Sequence, residues 1–506
     1  MVKGLSGKEL ILAAMRNEET PRPAWLPFVG VHGGKLIGKS ATEYLQSADC
    51  IVEGLAKARE LYRPDGLPIL FDLQMEAEVL GCHLQWADEV PPSVTSHPLT
   101  SRSLEDLPEF DTEQGRYPIA KEALLRCTET MGRDVALYGL ITGPFTLASH
   151  LRGSELFLDM LTRPAEVHRL LNYCADVCCR AADFYLRHGA DVVAVVDPMT
   201  SQISQEHFEG FIAQPLNKVF AHVAANNGLS SLFVCGDATR NLELMCRTKC
   251  DNLQVDENIP LDLLKNLAGK YNKSFGGNLK LTVVLLLGSE ADCMLDAIRC
   301  IDLAGLRGFI LAPGCDLPYA TPERNLIAVS QMVHDDYQRQ VSRTSLKATQ
   351  MESFDDLQLP DYGNRDVVFV DVITLDSSAC APCLYMVDAA RNAAEQAHCY
   401  VTVREHKVKT RDGIGYMCRL HVENIPSICI DGRVRFSSQI PDRETLIAAI
   451  AVSYTHLRAH VTVLELVCRP LLEKQKNPLD ESHLPLLSRL RVTSMCLSPA
   501  ILRLAT

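Results

Sequence analysis

The sequence predicts an α/β protein, with a (β/α)8 TIM barrel at its start and a second, smaller α/β domain after it. From about Lys8 to Tyr337, short apolar runs alternate with amphipathic segments long enough to form crossover helices. The apolar runs have the composition of parallel strands that are covered on both faces. They end in glycine or reactive residues, namely "ADVVAVVDP" at Asp197, "LSSLFVCGD" at Cys235 to Asp237, "CDNLQVDEN" at Asp256 and Glu257, "LTVVLLLG" at Gly288 and "GFILAPGC" at Cys315.

Reactive residues at the ends of strands, rather than at their starts, favour a barrel whose active site is built at the C-terminal rim. A doubly wound open sheet has a similar alternation and is the second choice. The clearest helix is "PAEVHRLLNYCADVCCRAADFYLRHGA", which begins at Pro164 and ends before Gly189. Its apolar residues recur at spacings of three and four, as on a buried helix face, at Val167, Leu170, Leu171, Cys174, Cys178, Ala181 and Tyr185.

The composition is that of a globular protein in a reducing compartment. The chain has 506 residues, 47% hydrophobic and 22% charged, which suggests two or three domains. Its net charge of −13 argues against nucleic acid or an anionic membrane as a partner. The N-terminal segment lacks the apolar centre of a signal peptide, and no run reaches the ~18 apolar residues of a membrane span, so we expect a cytoplasmic protein. In that compartment, any specialised cysteine among the 19 is expected to be a ligand or redox group rather than part of a disulfide.

Changes in polarity divide the chain into four parts. Residues 1–340 form the predicted barrel, and residues 341–365 are polar and acidic, as in an interdomain linker. Residues 366–451 form the predicted second domain. Residues 452–506 do not continue its pattern and resemble translated sequencing-adapter read-through, so we expect this tail to be non-native.

The second domain has a thioredoxin-like order of elements: a strand, a helix, a strand, a hairpin around Asp431 and Gly432, and a helix. The Cys-x-x-Cys motif of Cys380 and Cys383 opens the first helix, and a helix N-terminus is a place that favours a thiolate. Pro426 precedes a strand, at the place where a cis-proline faces the disulfide in this fold. We therefore predict redox catalysis by Cys380 and Cys383, with a cis Pro426 as the binding residue beside them. A zinc-binding cysteine pair is the alternative, but the sequence lacks a second pair at a matching spacing.

Cys235 and Cys315 are the candidate metal ligands of the barrel. They follow the fifth and the eighth predicted strands, and in a barrel both of these strands end on the same rim. Two thiolates over the central cavity are donors that zinc favours. A buried cysteine ahead of an ordinary turn is the alternative, and the spacing alone does not exclude it.

One further pattern runs through residues 1–340 and consists of the segments "LPILFDLQMEAEVLGC", "LYGLITGPFTLASHL", "FVCGDATRNLE", "QVDENI" and "GFILAPGCDLPYATPERNLIAV". Together they resemble the uroporphyrinogen decarboxylase superfamily, in particular its methylcobalamin:coenzyme M methyltransferase branch. The resemblance implies a (β/α)8 barrel and a zinc site made of a His-x-Cys pair and a later cysteine. The two cysteines map to Cys235 and Cys315, whereas Phe233 stands where the histidine is expected and cannot bind a metal.

Another residue must therefore complete the zinc site that the resemblance implies. Asp237 follows the same strand as Cys235, and Asp256 and Glu257 end the next strand. We prefer Glu257, because an oxygen donor on the adjacent strand reaches the same rim. His32 and His150 are the nitrogen alternatives.

The resemblance implies a zinc-dependent methyltransferase. Zinc deprotonates a thiol and leaves it nucleophilic, and the thiolate of a small thiol substrate then attacks a methyl group on the cobalt of methylcobalamin. The sequence has no Asp-x-His-x-x-Gly motif for binding a corrinoid, so we expect a separate corrinoid protein as the partner.

Two alternatives stay open. One is a tetrapyrrole decarboxylase of the uroporphyrinogen type, with Asp72, Asp197 or Asp237 as the acid, and we include Asp197 among the candidate catalytic residues. Its polycarboxylate substrate requires several basic residues, but the N-terminal segment offers only Arg22, Lys35 and Lys39. The other alternative is a non-catalytic barrel that carries only the thiol-redox function of the second domain.

Overall fold

The computed structural model describes residues 4–346, 354–364, 366–378 and 380–455. The strands before residue 346 belong to one large sheet and one small hairpin. They are β1 (Ala24–Trp25), β2 (Gly66–Pro68), β3 (Leu84–Gln85), β4 (Ser93–Val94), β5 (Ala136–Thr142), β6 (Val192–Val196), β7 (Leu229–Val234), β8 (Asn252–Val255), β9 (Ser274–Leu279) and β10 (Phe309–Pro313).

The large sheet has eight strands in the order β1-β10-β9-β8-β7-β6-β5-β2, and its neighbours pair in parallel. Its two outer strands approach each other where the N–H of Asp65 donates to the carbonyl of Trp25 at 2.8 Å. The sheet is thus a nearly closed barrel in which β7 is the fifth strand and β10 the eighth. This confirms the predicted (β/α)8 TIM barrel over the doubly wound alternative. The separate hairpin consists of β3 and β4.

Helices between the strands cover the outside of the barrel. The helix predicted over "PAEVHRLLNYCADVCCRAADFYLR" is confirmed, and the residues expected on its inner face are buried. The helices are α1 (Gly7–Met15), α2 (His32–Leu36), α3 (Ala41–Leu45), α4 (Ala48–Tyr62), α5 (Met75–Val79), α6 (Tyr117–Thr130), α7 (Pro144–Arg152), α8 (Glu155–Thr162), α9 (Pro164–Arg187), α10 (Gln205–His207), α11 (Ala213–Ala225), α12 (Leu242–Arg247), α13 (Leu261–Lys270), α14 (Glu290–Ala304), α15 (Glu323–His334) and α16 (Asp336–Ser345).

One strand prediction is wrong. The apolar run "LTVVLLLG" is a π-helical segment over Leu281–Leu286, and the seventh strand of the barrel is β9, with the sequence "SFGGNL". Glycine lowers the strand propensity of that sequence, and its two glycines interrupt the apolar run by which the other strands are predicted. The glycine is required by packing, because a Cβ at Gly276 would lie 2.4 Å from the side chain of Gln254 and 2.5 Å from the carbonyl of Ile310.

The interior of the barrel is filled by an aromatic cluster close to the rim. The ring of Phe233 stacks on that of Phe28 with centroids 4.7 Å apart and lies edge-on to Phe71 at 6.0 Å. Val234, the next residue of β7, packs instead in the cluster that contains the surrounding helices. The alternation places Phe233 inside the barrel, two residues before Cys235, which follows the end of the strand.

The second domain has the predicted order of elements, with a second helix between its first two strands and the hairpin. The elements are β11 (Val368–Thr374), α17 (Ala381–Gln396), β12 (Val401–Lys407), α18 (Arg411–Arg419), β13 (Ser427–Ile430), β14 (Arg433–Ser437) and a last helix, α19, over 443–455.

The sheet of this domain has the order β12-β11-β13-β14. β12 is parallel to β11, and β13 is antiparallel to both β11 and β14. Asp431 and Gly432 both have positive φ, of 46° and 75°, as a tight type I′ hairpin turn requires. The turn predicted at these two residues is therefore present.

The two domains contact each other directly. The hydroxyl of Tyr385 on α17 donates to the carbonyl of Ser149 on α7 at 3.1 Å, and its ring belongs to the barrel's hydrophobic cluster. Arg240 donates to the carbonyl of Ser438 at 3.3 Å. Because α7 begins directly after β5, these contacts place α17 over the C-terminal rim of the barrel.

The described residues of the segment predicted as a linker include a helix end and two side chains that pack on the second domain. α16 continues to Ser345, so residues 341–345 are helical, and Phe354 and Leu359 pack on the second domain. Most of the tail that we expect to be non-native lies outside the described residues, which end at Thr455 within α19. Within the described part of the chain, the helices lack the combination of length and hydrophobicity that a membrane crossing requires.

Candidate active site

A cavity of about 170 Å³ lies between the rim of the barrel and the second domain. The barrel contributes loops that follow its strands, and the second domain contributes the start of α17 and the loop before β13. Both predicted thiol pairs line the cavity, together with Pro426 and Glu257: Cys235 and Cys315 from the barrel, and Cys380 and Cys383 from the second domain.

The barrel thiols lie where the strand analysis predicts. Cys235 directly follows β7, and Cys315 lies two residues after the end of β10. The pKa of the Cys235 thiol is raised well above its usual range, first by its interaction with the side chain of Cys315 and then by burial. Cys235 and Cys315 therefore meet at the rim, and Cys235 is a neutral thiol at pH 7.

The residues after Cys235 explain why the strand ends on the sequence Cys-Gly-Asp. Gly236 has a φ of +88°, which residues with a side chain rarely adopt, and its N–H donates to the Asp256 carboxylate at 2.8 Å. The carboxylate of Asp237 accepts hydrogen bonds from within its own loop, from the N–H of Thr239 at 3.0 Å and from the Thr239 hydroxyl at 2.6 Å. Gly236 thus shapes the turn, and Asp237 closes it without lining the cavity.

The two acids at the end of β8 lie in the cavity wall. Glu257 accepts a hydrogen bond from the N–H of Leu281 at 2.8 Å, and burial together with the neighbouring Asp256 raises its pKa to about 8. Asp256 also has a raised pKa because it is buried, although Gly236 and Asn258 donate to it. Glu257 is therefore mostly protonated at neutral pH.

The predicted zinc site lacks a complete set of donors. Among the residues that the structure describes, no three His, Cys, Asp or Glu side chains are grouped so that they could hold a metal. Phe233, in the place of the expected histidine, is buried against Phe28. The thiol pair suits zinc in kind, but the arrangement does not fit a three-donor site, and we derive no step through a metal.

Neither alternative histidine completes the pair. His32 is buried and uses both ring nitrogens, one 3.1 Å from the Tyr319 carbonyl and one 2.7 Å from the Tyr62 hydroxyl. His150 lines the cavity, and burial keeps it neutral by lowering its pKa to about 3, but among the described residues it is not grouped with the two thiols as a set of metal donors.

Two aspartates that were considered as catalytic acids have structural partners. Asp197 is fully buried and accepts hydrogen bonds from the N–H groups of Phe145 and Thr146 and from the Thr146 hydroxyl. It thereby holds the first turn of α7 and does not line the cavity. Asp72 does line the cavity, but it forms a buried ion pair with Arg116.

The second thiol pair has the geometry that the Cys-x-x-Cys motif predicts. Cys380 is the N-cap residue of α17, and Cys383 lies in its first turn with 1% of its surface exposed. The Ile425–Pro426 peptide bond is cis, as predicted, and both residues line the cavity. Burial and the side chain of Cys380 raise the pKa of Cys383. Cys380 is thus the more accessible thiol of the pair.

The sequence analysis missed Asp316 and Lys409. Asp316 directly follows Cys315, is half-buried and accepts a hydrogen bond from the N–H of Gly30 at 2.9 Å. Burial raises its pKa, which the charge of Lys409 from the second domain partly offsets. The position of Asp316 next to Cys315 was a usable signal, whereas nothing in the sequence places Lys409 at the barrel.

A profile of the uroporphyrinogen decarboxylase (URO-D) family matches residues 6–335, about two thirds of the chain. The chain belongs to the uroporphyrinogen decarboxylase family. The matched residues cover the barrel of this family member and end before the second domain.

Several known proteins are similar to this family member over the barrel. The methylcobamide:CoM methyltransferase MtbA of Methanosarcina mazei is 30% identical over 268 residues, which cover 52% of this chain and 77% of the relative. MtbA of Methanosarcina acetivorans is 28% identical over 267 residues, with the same coverage. A uroporphyrinogen decarboxylase of Nostoc punctiforme is 26% identical over 289 residues, which cover 55% of this chain and 80% of the relative.

A solved methyltransferase structure from Methanosarcina mazei has the same fold, with a TM-score of 0.61 and 24% identity over 66% of this chain and 99% of that chain. Together the comparisons confirm the predicted superfamily and support its methyltransferase branch, and with it the prediction of a methyltransferase enzyme.

Proposed function

We propose that this chain is a methyltransferase that moves a methyl group from a corrinoid protein to the sulfur of a small thiol, with a thiol/disulfide redox domain attached. The observation that carries the proposal is the meeting of Cys235 and Cys315 in one cavity at the barrel rim. The chain's similarity to methylcobamide:CoM methyltransferases supports the choice of donor and acceptor.

In the proposed reaction, the acceptor thiol loses its proton and its sulfur attacks the methyl carbon. The carbon–sulfur bond forms as the cobalt–carbon bond breaks, and the electron pair of the broken bond stays on cobalt. Glu257 is the candidate group for moving the acceptor's proton. Its pKa of about 8 lies close to the value of about 8.5 for a free thiol, so a proton passes between them at little cost in free energy.

Zinc at Cys235 and Cys315 stays a prediction, and no step of the proposal depends on it. It is tested on the purified full chain by metal analysis. If the prediction is right, about one zinc per chain is found and is lost in Cys235→Ser and Cys315→Ser. A metal-free wild-type chain that still transfers methyl groups would contradict the zinc prediction alone.

The charge of the cavity disfavours a tetrapyrrole decarboxylase. Among the described residues that line the cavity, a single one is a lysine or arginine, Lys409. Six are acidic: Asp72, Glu89, Asp256, Glu257, Asp316 and Asp376. A polycarboxylate substrate needs several basic groups to bind its carboxylates, and one lysine does not supply them. For the same reason the cavity offers little positive charge to an anionic thiol acceptor, which favours a neutral one.

The proposed function is tested with the full chain, free methylcobalamin as the donor probe, and 2-mercaptoethanol or 2-mercaptoethanesulfonate as the acceptor. Demethylation of the cobalamin is followed by absorbance, and the methyl thioether is identified by mass spectrometry. We expect transfer with both acceptors and a higher kcat/KM for the neutral one.

Cys235→Ser and Cys315→Ser are each expected to lower the rate more than about tenfold, a change of about 1.4 kcal/mol in the barrier, because both thiols line the cavity in which the acceptor is proposed to bind. Cys246→Ser is the matched control, because that cysteine is buried in α12 and does not line the cavity. Turnover of uroporphyrinogen without any methyl transfer would overturn the proposal in favour of the decarboxylase.

A further inference from the structure

The two thiol pairs of this chain lie in one cavity, although Cys380 comes 65 positions after Cys315 in the sequence. Cys380 is close enough to Cys235 for its charge to act on that thiol. All four cysteines are present as free thiols. A pair built for disulfide exchange therefore faces a second pair whose side chains interact directly with each other.

The contacts between the domains hold this arrangement in place. Tyr385 lies two residues after Cys383 in α17, and its hydroxyl donates to Ser149 at 3.1 Å. The ring of Tyr385 is buried in the barrel's hydrophobic cluster. Tyr385 thus fixes the start of α17, and with it Cys380 and Cys383, against the barrel.

We propose that Cys380 and Cys383 reduce a disulfide between Cys235 and Cys315 by thiol–disulfide exchange across this cavity. The substrate of the redox domain is then the barrel of the same chain. Cys380 is the attacking residue, since it is the more accessible thiol at the N-terminus of α17, and Cys383 resolves the intermediate. The further claim that the exchange keeps the barrel ready for methyl transfer rests on the proposed function.

The exchange between the two pairs needs no reactant beyond the four cysteines. The Cys380 thiolate attacks the sulfur of Cys235, the Cys235–Cys315 bond breaks, and Cys315 leaves as a thiolate that takes up a proton. The Cys383 sulfur, after losing its proton, then attacks Cys380 and releases Cys235 as a thiol. Two electrons pass to the barrel pair, and the second domain is left with a Cys380–Cys383 disulfide. A peroxide oxidises the barrel pair at the start, and an external dithiol reduces the second domain at the end.

The experiment uses the full chain treated with one equivalent of hydrogen peroxide, quenched by alkylation at set times and analysed by non-reducing peptide mass spectrometry. In the wild type we expect the Cys235–Cys315 disulfide to appear first and to be replaced by Cys380–Cys383. In Cys380→Ser the barrel disulfide should persist, and its reduction by dithiothreitol should be slower by about tenfold. Cys383→Ser should trap a Cys235–Cys380 disulfide.

Cys399→Ser is the matched control, because this cysteine lies in the same domain but does not line the cavity, and we expect wild-type behaviour. The proposal is overturned if the wild type keeps the barrel disulfide as long as Cys380→Ser does, or if Cys383→Ser links Cys380 to no barrel cysteine. These readouts require no methyl donor, so a failure of methyl transfer leaves them interpretable. Methyl transfer that persists when exchange is absent rejects this inference alone.

Discussion

The ring of Phe233 stacks on the ring of Phe28, with centroids 4.7 Å apart and 26° between their planes. The stack fills the barrel directly below Cys235, at the position where the family resemblance leads us to expect a metal-binding histidine. An apolar contact thus occupies the place of the missing nitrogen donor.

Phe233→His tests whether this place is the missing part of a zinc site. We expect the variant to retain its zinc better than the wild type during dialysis against a chelator, as measured by metal analysis. It should also be less stable by about 2 kcal/mol without metal, because a buried ring nitrogen replaces an aromatic contact. Phe233→Leu, which adds no nitrogen, should be destabilised without gaining zinc. Equal zinc content in the histidine variant and the wild type would contradict the prediction.

The raised pKa of Glu257 predicts a pH-dependent stability. The folded protein keeps the proton up to about pH 8, whereas the unfolded chain releases it near the ordinary value for glutamate, about 4.3. Between these values the folded state binds the additional proton, so the free energy of unfolding falls as pH rises, by roughly 1 kcal/mol per pH unit. Glu257→Gln removes this contribution.

Urea unfolding at pH 5 and at pH 8 measures the effect. The Gln variant should gain stability relative to the wild type on going from the lower to the higher pH. Glu290→Gln, on an exposed helix start, is the control and should leave the difference unchanged. A wild-type pH dependence that Glu257→Gln does not alter would show that other groups cause it.

Gly236→Ala should damage the cavity without touching a thiol. The alanine would be held at a φ of +88°, and its Cβ would lie 2.9 Å from the Ser201 hydroxyl oxygen. We expect a loss of about 1–2 kcal/mol in stability and slower methyl transfer, because the strained turn displaces Cys235. The control is Gly210→Ala, where a Cβ has no atom within 4 Å. If both variants behave alike in thermal unfolding and in the activity assay, the turn is not under this constraint.

Asp197→Asn separates a structural role from a catalytic one. The carboxylate accepts from two N–H groups at the start of α7 and from the Thr146 hydroxyl, and an amide cannot accept all three. We expect a loss of about 2 kcal/mol in stability. At a temperature where the variant is fully folded, methyl transfer should be changed less than about threefold, a barrier change well under 1 kcal/mol. A variant that is stable but inactive would restore Asp197 to the catalytic residues.

The sequence analysis succeeded where local pattern decides structure. Cys235 and Cys315 were placed correctly because both follow apolar strands, and Cys380, Cys383 and Pro426 because their motif fixes a helix start and a strand start. The apolar run over Leu281–Leu286 failed because hydrophobicity does not distinguish a buried strand from a buried helical turn.

Other features depend on contacts that no short segment encodes. Asp237 and Asp197 sit at strand ends, as catalytic acids do, but each carboxylate is used by a neighbouring N–H group. The approach of Cys380 to Cys235 depends on how two domains pack, which the periodicity of either domain does not determine.

The small size of the rim cavity has a consequence for the order of events. A space of about 170 Å³ can hold a small thiol, but a corrin macrocycle on a carrier protein is far larger. In the proposed reaction, a corrin could reach this space only if α17 moved off the rim and the hydrogen bond from Tyr385 to Ser149 were broken. Methyl transfer and thiol–disulfide exchange would then exclude each other in time, because α17 must lie on the rim for the exchange and away from it for the transfer.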